Sequence, residues 1–501
     1  MTESSLKNTI PEGGCCFKNI MPDSVTGMVF AAEGIKNAVV LLNGPMGCKF
    51  YHSTTSQYLT VRPIMYLPSE EGEKVPVDYN CLNSYFFRQP RVPSTYLDGY
   101  DYVYGTADKV KDALIFLRDS VDFELLVIIN SPGASLIGDH LKDLSGEIMP
   151  DKPCAVLESP GFSGDLDEGY EEAALEILKQ AGLRKREDLC RAQSSFPEGE
   201  PAQESFSGDR KDKAGNGSPL MKKEKRDFQE KKNISGTGKK VNLLGLSIWD
   251  RYNDGDKKEL CRMLGLCGIE VNCILCSGSS LEDIRNIPAA DLNVAVNPRA
   301  GRRCALYLKE NYGMDYYAPC GLPIGFKETE EFIMEICRRL NADPSALIKE
   351  SEEARGMAWY KINEFSQNSG LPDGALFAAE GSCGQVYSYS RFFMDYLGMI
   401  PDVLSVTQKG DLNQEKELKE LLLKFGAQEA LKKDIRDTKA ELVFADANTI
   451  AMLKAEGKVF SGIEISFPGM GYTDLVPKTH LGINGALFLT EQVLNGFMSR
   501  L

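Results

Sequence analysis

Three of the 14 cysteines, Cys15, Cys16 and Cys48, stand in glycine-rich surroundings near the N-terminus. Cys48 closes the run GIKNAVVLLNGPMGC, in which an apolar stretch, Val39 to Leu42, passes directly into a glycine-proline turn. That pattern predicts a strand ending in a loop, and open α/β sheets place ligands beyond the carboxyl ends of their strands. Gly44 and Gly47 would let backbone approach something bulky. Soft thiolates at such a loop suit iron–sulfur ligation. The alternative for Cys48 is a buried thiol that closes a tight turn. Zinc is disfavoured because paired-ligand spacing is missing and the three histidines, His52, His140 and His480, are dispersed.

The other cysteines point to packing. Cys273 and Cys276 form a CxxC within an apolar run read as a strand, Val271–Cys276, where positions i and i+3 face opposite sides and cannot share one ion. Cys261, Cys267, Cys304 and Cys337 lie on helix-like segments among apolar neighbours. Cys320 in APCGLP and Cys383 in EGSCGQ sit in glycine-containing segments that read as loops and could face a cleft.

The elements that must position these groups follow from composition and periodicity. With 501 residues and 43% hydrophobic content the chain can build several cores. It has no apolar run near the ~20 residues that span a bilayer, and MTESSLKNTIPEGG lacks the segments of a signal peptide. The expectation is a cytoplasmic protein without a membrane anchor, with cysteines as thiols or metal ligands. The 57 basic and 72 acidic residues give a net charge of −15, which argues against nucleic acid as a partner.

Strand-like and helix-like runs alternate through the first third: Ala38–Leu42, helix Lys109–Arg118, strand Leu125–Asn130, strand Ala155–Glu158 and helix Asp167–Gln180. LLVIIN has no polar alternation, as expected of a parallel strand covered on both faces. Residues 190–240 then lose nearly all aliphatic content and predict a disordered polar linker. Order resumes with VNLLGLS at 241, and the runs ALFAAEG, DVLSV, ELVFADA and GIEISF supply later strands. The fold class predicted is α/β, with three Rossmann-like domains of parallel sheet flanked by helices around a central cleft. The domains are 1–189, 241–350 and 351–501, joined by the 190–240 linker and a helical bridge.

Five stretches in order carry a resemblance: GIKNAVVLLNGPMGC, NSYFFRQPRVPSTYLDGYDYVYGTADKV, IINSPGASLIGDHL, SPGFSG and GIEISFPGMGYTDLVPKTHLGINGALFL. Together they resemble component 1 of nitrogenase and its relatives, which include the molybdenum–iron protein, its cofactor-assembly scaffold and the dark-operative protochlorophyllide and chlorophyllide reductases. APCGLPIGFKETEEFIMEI and the closing stretch lean towards the β-type subunits. The resemblance implies a nitrogenase-like oxidoreductase subunit in an αβ heterodimer or heterotetramer. It implies an iron–sulfur cluster, 4Fe-4S or larger, shared with an α-type partner, and an ATP-dependent iron–sulfur reductase as electron donor. A non-catalytic cofactor-assembly scaffold is the alternative.

Carried over residue by residue, the resemblance is incomplete. Cys48 matches the family's GxxGC cysteine. The position of the other N-terminal cysteine falls on Asp23, with Cys15 and Cys16 earlier in the chain. A third cysteine position is Pro132, beside Ser131, and the cofactor cysteine of the catalytic α subunit falls at Asn297, as expected of a β-type chain. The candidate cluster ligands are therefore Cys48, Cys15, Cys16, Asp23 and Ser131. Asp23 reads first as a helix N-cap before VTGMVFAAEG, and Ser131 as a turn hydroxyl. Arg62, Arg88 and Arg91 are candidate cleft charges.

Overall fold

The computed structural model describes residues 22–49, 66–68, 74–76, 92–158, 164–187, 238–466 and 474–499. Cys15, Cys16, His52, Arg62, Arg88, Arg91 and most of the 190–240 linker lie outside the described residues.

Three all-parallel sheets form the frame. The first contains β1 (Ala38–Asn43), β4 (Leu125–Asn130) and β5 (Cys154–Glu158), in the order β1-β4-β5. The second contains β6 (Lys239–Leu244), β7 (Ile269–Ile274), β8 (Leu292–Ala295) and β9 (Asp315–Tyr317), ordered β7-β6-β8-β9. The third contains β10 (Leu376–Ser382), β11 (Ile400–Gln408), β12 (Leu442–Asp446) and β13 (Ser461–Ser466), ordered β11-β10-β12-β13. A short antiparallel pair, β2 (Tyr66–Pro68) and β3 (Lys74–Pro76), stands apart. The predicted architecture of three Rossmann-like units is therefore the observed one.

Sheet burial follows the two-residue period of a strand. In β4 every residue is buried: Leu125, Val127 and Ile129 pack with the Ser24–Glu33 and Leu166–Gln180 helices, while Leu126 and Ile128 pack with Ala107–Ser120 and Leu141–Ile148. The first core continues into the second sheet through Leu244, Leu275 and Leu308. A larger core joins the second and third units through Val241, Phe377, Phe444 and Val493. The helical bridge, Ser345–Ser369, packs on this second core.

The Ser24–Glu33 and Leu166–Gln180 helices cross at glycine. A side chain on Gly27 would land on the Leu166 carbonyl oxygen, and one on Gly169 would land on the Ser24 carbonyl oxygen. This contact aligns the two N-termini, where Asp23 and Asp165 form an antiparallel bridge. Both aspartates are N-caps, and Asp165 completes a capping box with Glu168.

Several local predictions shift. β7 ends at Ile274, not Cys276, because Cys276 turns into the left-handed region with φ 56°. The sequence also reads a strand over Asn293–Asn297, but β8 runs Leu292–Ala295 because Asn297 caps the Pro298–Tyr312 helix, with Pro298 in its first turn. β6 opens at Lys239, so the last residues assigned to the linker belong to a strand. Cys383 is not in a loop: Ser382 and Gln385 form a capping box that starts the Cys383–Asp395 helix there, and the thiol is buried.

Candidate functional site

β1 delivers its last residue, Asn43, into a ladder across the carboxyl edge of the first sheet. Asn43 Nδ2 donates to Asn130 Oδ1 (2.8 Å), and Asn130 Nδ2 donates to Glu158 Oε2 (2.8 Å). Thr95 Oγ1 donates to Asn43 Oδ1 at 2.9 Å and accepts from the Gly44 amide at 3.1 Å. These bonds fix the turn that follows. Gly44 is needed for a close approach, since a Cβ there would sit 2.7 Å from Ser131 Oγ. No described residue lies within 4 Å of where a Gly47 side chain would begin. The chain then makes a 3-10 turn, Met46–Lys49, that carries Cys48 half-buried, its amide donating to the Pro45 carbonyl at 3.2 Å.

Burial, and then the charge of Asp23, push the Cys48 thiol above its ordinary pKa. The charge of one predicted ligand is thus felt by the other, and the thiol is protonated at neutral pH unless a cation displaces its proton. Asp23 is also the helix cap: its Oδ1 accepts from the Thr26 amide (2.9 Å) and the Thr26 hydroxyl (2.7 Å). Because both bonds go to Oδ1, capping does not consume Oδ2. Cap and ligand are compatible roles here.

Ser131 is buried and caps the short Pro132–Ser135 helix, its Oγ accepting from the Ala134 amide at 3.4 Å. Asn297 is likewise a cap, its Oδ1 accepting from the Arg299 amide at 3.1 Å. Among the described residues no cluster of three or more His, Cys, Asp or Glu side chains could hold a metal ion. Cys273, Cys276 and Cys304 share the first core, and Cys267 and Cys337 the second. Cys320 is half-buried, and Cys261 is exposed on its helix rather than packed among apolar neighbours.

The central cleft expected from the sequence lies where the three units meet, with a lining that the sequence reading did not assign. It is lined by Asp167 from the first, Asp250, Arg251, Asp256 and Asn297 from the second, and Ser382, Gln385 and His480 from the third. Desolvation dominates its acids. Burial raises Asp256 to about 7, although the Thr479 hydroxyl donates to its Oδ1 at 2.6 Å. Burial raises Asp250 to about 8 against the Ser247 amide, which donates at 2.8 Å, and Asp167 to about 6. These three carboxyls titrate near neutral pH, where ordinary aspartates are fully ionised.

The bases of the cleft are fixed. Arg251 is buried and ion-paired through Nε to Glu464 (2.9 Å) and through a terminal nitrogen to Asp474 (2.5 Å). His480 bonds Gln492 Oε1 through Nε2 (2.6 Å) and Tyr389 OH through Nδ1 (2.7 Å). An amide oxygen can only accept, so Nε2 carries the proton and Nδ1 accepts from the tyrosine. Burial lowers His480 to about 4, which keeps it neutral. The sequence did hold one signal for the cleft: WDRYNDGD lies just past the apolar run of β6, at a strand's carboxyl end.

Comparison with known proteins agrees with this fold. Nitrogenase Cp1 at pH 6.5 superposes with a TM-score of 0.68 over 99% of this chain and 96% of its own, at 16% identity, a likeness of fold. The B subunit of the light-independent protochlorophyllide reductase of Synechococcus sp. (strain WH7803) is 27% identical over 273 residues, 54% of this chain and 44% of that protein. The corresponding protein from Zygnema circumcarinatum is 39% identical over 101 residues, 20% of this chain and 19% of that protein. The chain thus spans less than half the length of these relatives. The model of the nitrogenase component 1 type oxidoreductases matches residues 24–498, nearly the whole chain, and the chain belongs to that family.

Proposed function

We propose that this chain is a β-type subunit of a nitrogenase-like reductase, in which Cys48 gives one thiolate to an iron–sulfur cluster completed by an α-type partner. The observation that carries the reading is the half-buried Cys48 on the turn beyond β1, within reach of the Asp23 charge. One soft thiol and one carboxylate fit a shared cluster and are too few to hold one alone. Cys15 and Cys16 remain candidates for a further ligand, and Ser131, engaged as a cap, is the weakest. When bound, such a cluster supplies one-electron storage and transfer at low potential. Electrons would come from an ATP-dependent iron–sulfur reductase.

This chain's own contribution to a reduction is protons. Each hydrogen added to a substrate is an electron and a proton together, and the proton needs a donor out of bulk water. Asp256 and Asp250, raised to about 7 and about 8, still carry protons at neutral pH, as a general acid must. His480 cannot serve, because it is neutral and its Nε2 proton is held by Gln492. Likeness to the light-independent protochlorophyllide reductases supports a conjugated macrocycle as the substrate class. The ten free thiols among the described residues suit a reducing, cytoplasmic setting.

The test is anaerobic purification with an α-type partner, with iron counting and electron paramagnetic resonance. Iron should accompany the complex and be nearly absent from the isolated chain. An iron-replete monomer, or a stable complex without iron, would reject the shared cluster.

A further inference from the structure

Two thiols of the second core meet at the ends of two helices. Cys267 stands just past the Asn253–Leu266 helix, on the turn into β7, and Cys337 lies in the last turn of the Phe326–Leu340 helix. Both are free and buried in the same core, and a side-chain hydrogen bond joins them. The bond is polarised one way. It holds the Cys267 thiol below its ordinary pKa and the Cys337 thiol above, so Cys337 donates and Cys267 is the sulfur that more readily loses its proton. Cys267 is also the one that solvent reaches, at 7% exposed against 1% for Cys337. The thiolate is the reactive form of cysteine, so an oxidant meets the reactive member of the pair first.

A disulfide needs its sulfurs at about 2.05 Å, a closer approach than a hydrogen bond gives. The turn that carries Cys267 has room to make it. Among the described residues nothing lies within 4 Å of where a side chain on Gly265 or Gly268 would begin, and Gly268 takes a left-handed φ of 70°.

We propose that Cys267 and Cys337 form a reversible dithiol–disulfide pair, a site of oxidation by peroxides that clamps the Asn253–Leu266 and Phe326–Leu340 helices together. The Cys267 sulfur attacks one oxygen of hydrogen peroxide and the O–O bond breaks; one water leaves and Cys267 becomes a sulfenic acid. The Cys337 sulfur then attacks that of Cys267, the S–S bond forms, the S–O bond breaks, and the Cys337 proton leaves with the oxygen as a second water. Two thiols lose two electrons, and one peroxide is reduced to two waters. Both helices begin towards the cleft, which Asp256 and Leu322 line, and end at the thiols, while the segment between the cysteines carries β7, β8 and β9. The inference does not depend on any cluster.

The full chain, purified anaerobically, treated with hydrogen peroxide, then alkylated and digested with trypsin, tests it. Peptides 263–285 and 328–338 should be recovered as one cross-linked species, lighter than their sum by two hydrogens and split by dithiothreitol. The second holds Cys337 alone, whereas the first holds Cys267, Cys273 and Cys276. Cys267→Ser should abolish the cross-link, and in Cys337→Ser the oxidation of Cys267 should stop at a sulfenic acid captured by dimedone. The cross-linked chain should melt at a higher temperature than the reduced one, because the bond closes a long loop in the unfolded state. Cys337 alkylated in full after excess peroxide would overturn the proposal, whatever the variants do. So would a cross-link that persists in Cys267→Ser through Cys273 or Cys276, or an oxidised chain that melts lower.

Discussion

The charge of Asp23 reaches Cys48: the carboxylate that caps the first helix also raises the pKa of the thiol on the turn after β1, adding to the effect of burial. A thiol held above its ordinary pKa must lose a proton to bind metal, so uptake and pH are linked. Iron loading of the partner complex should rise with pH. In Asp23→Asn the cap is kept, since asparagine caps about as well as aspartate, and the profile should move to lower pH. Iron content across a pH series reads this directly, and an unmoved profile would separate Asp23 from the thiol.

Cys48→Ala should remove the iron and its paramagnetic signal. Cys273→Ala, a buried thiol in β7, should keep the iron and lose only about 1 kcal/mol of packing, visible as a lower melting temperature. Full iron in Cys48→Ala would leave the turn with a structural role alone.

Ser131 separates capping from ligation. Ser131→Ala should cost about 1 kcal/mol of stability through the lost cap and leave iron content unchanged. Gly44→Ala should be the more damaging change in a denaturant melt, because its methyl group would be forced against Ser131 Oγ and Cβ, both 2.7 Å away.

Asp256 predicts a pH dependence of stability. Its carboxyl ionises near 3.8 when unfolded and at about 7 when folded, so the native state binds the extra proton between those values. Stability from this group is greatest below about 4 and falls as pH rises through about 7. About three pKa units bound the effect at roughly 4 kcal/mol. Asp256→Asn should flatten the profile, gaining stability at pH 8 relative to pH 5. A parallel profile in chemical denaturation would show that the carboxyl is already ionised.

The frame was legible where local pattern and burial agree. LLVIIN reads as a two-sided buried strand and is one, and the acidic start of the Leu166–Gln180 helix was visible in the sequence. β7 was misplaced because VNCILC stays apolar through Cys276, while the chain leaves the strand by a backbone rotation that composition does not encode. The Cys383 helix was missed although its S-x-x-Q capping box was in plain sight, its glycines suggesting a loop. Cys48 was legible because strand, turn and thiol are contiguous. The cleft acids were not, because Asp250 and Asp256 owe their raised pKa to burial where the three units meet, which no local stretch of sequence displays.

The crossing at Gly27 and Gly169 ties the position of Asp23 to residues far along the chain. Neither glycine can gain even a methyl group while the opposing carbonyl stays in place, so the two sites tolerate drift only together, if at all. Any lineage that altered one would have to retract the neighbouring backbone, and the first casualty would be the register between Asp23 and Asp165 rather than the sheet beneath. Two residues that contribute no side chain thus set where the carboxylate that acts on Cys48 stands.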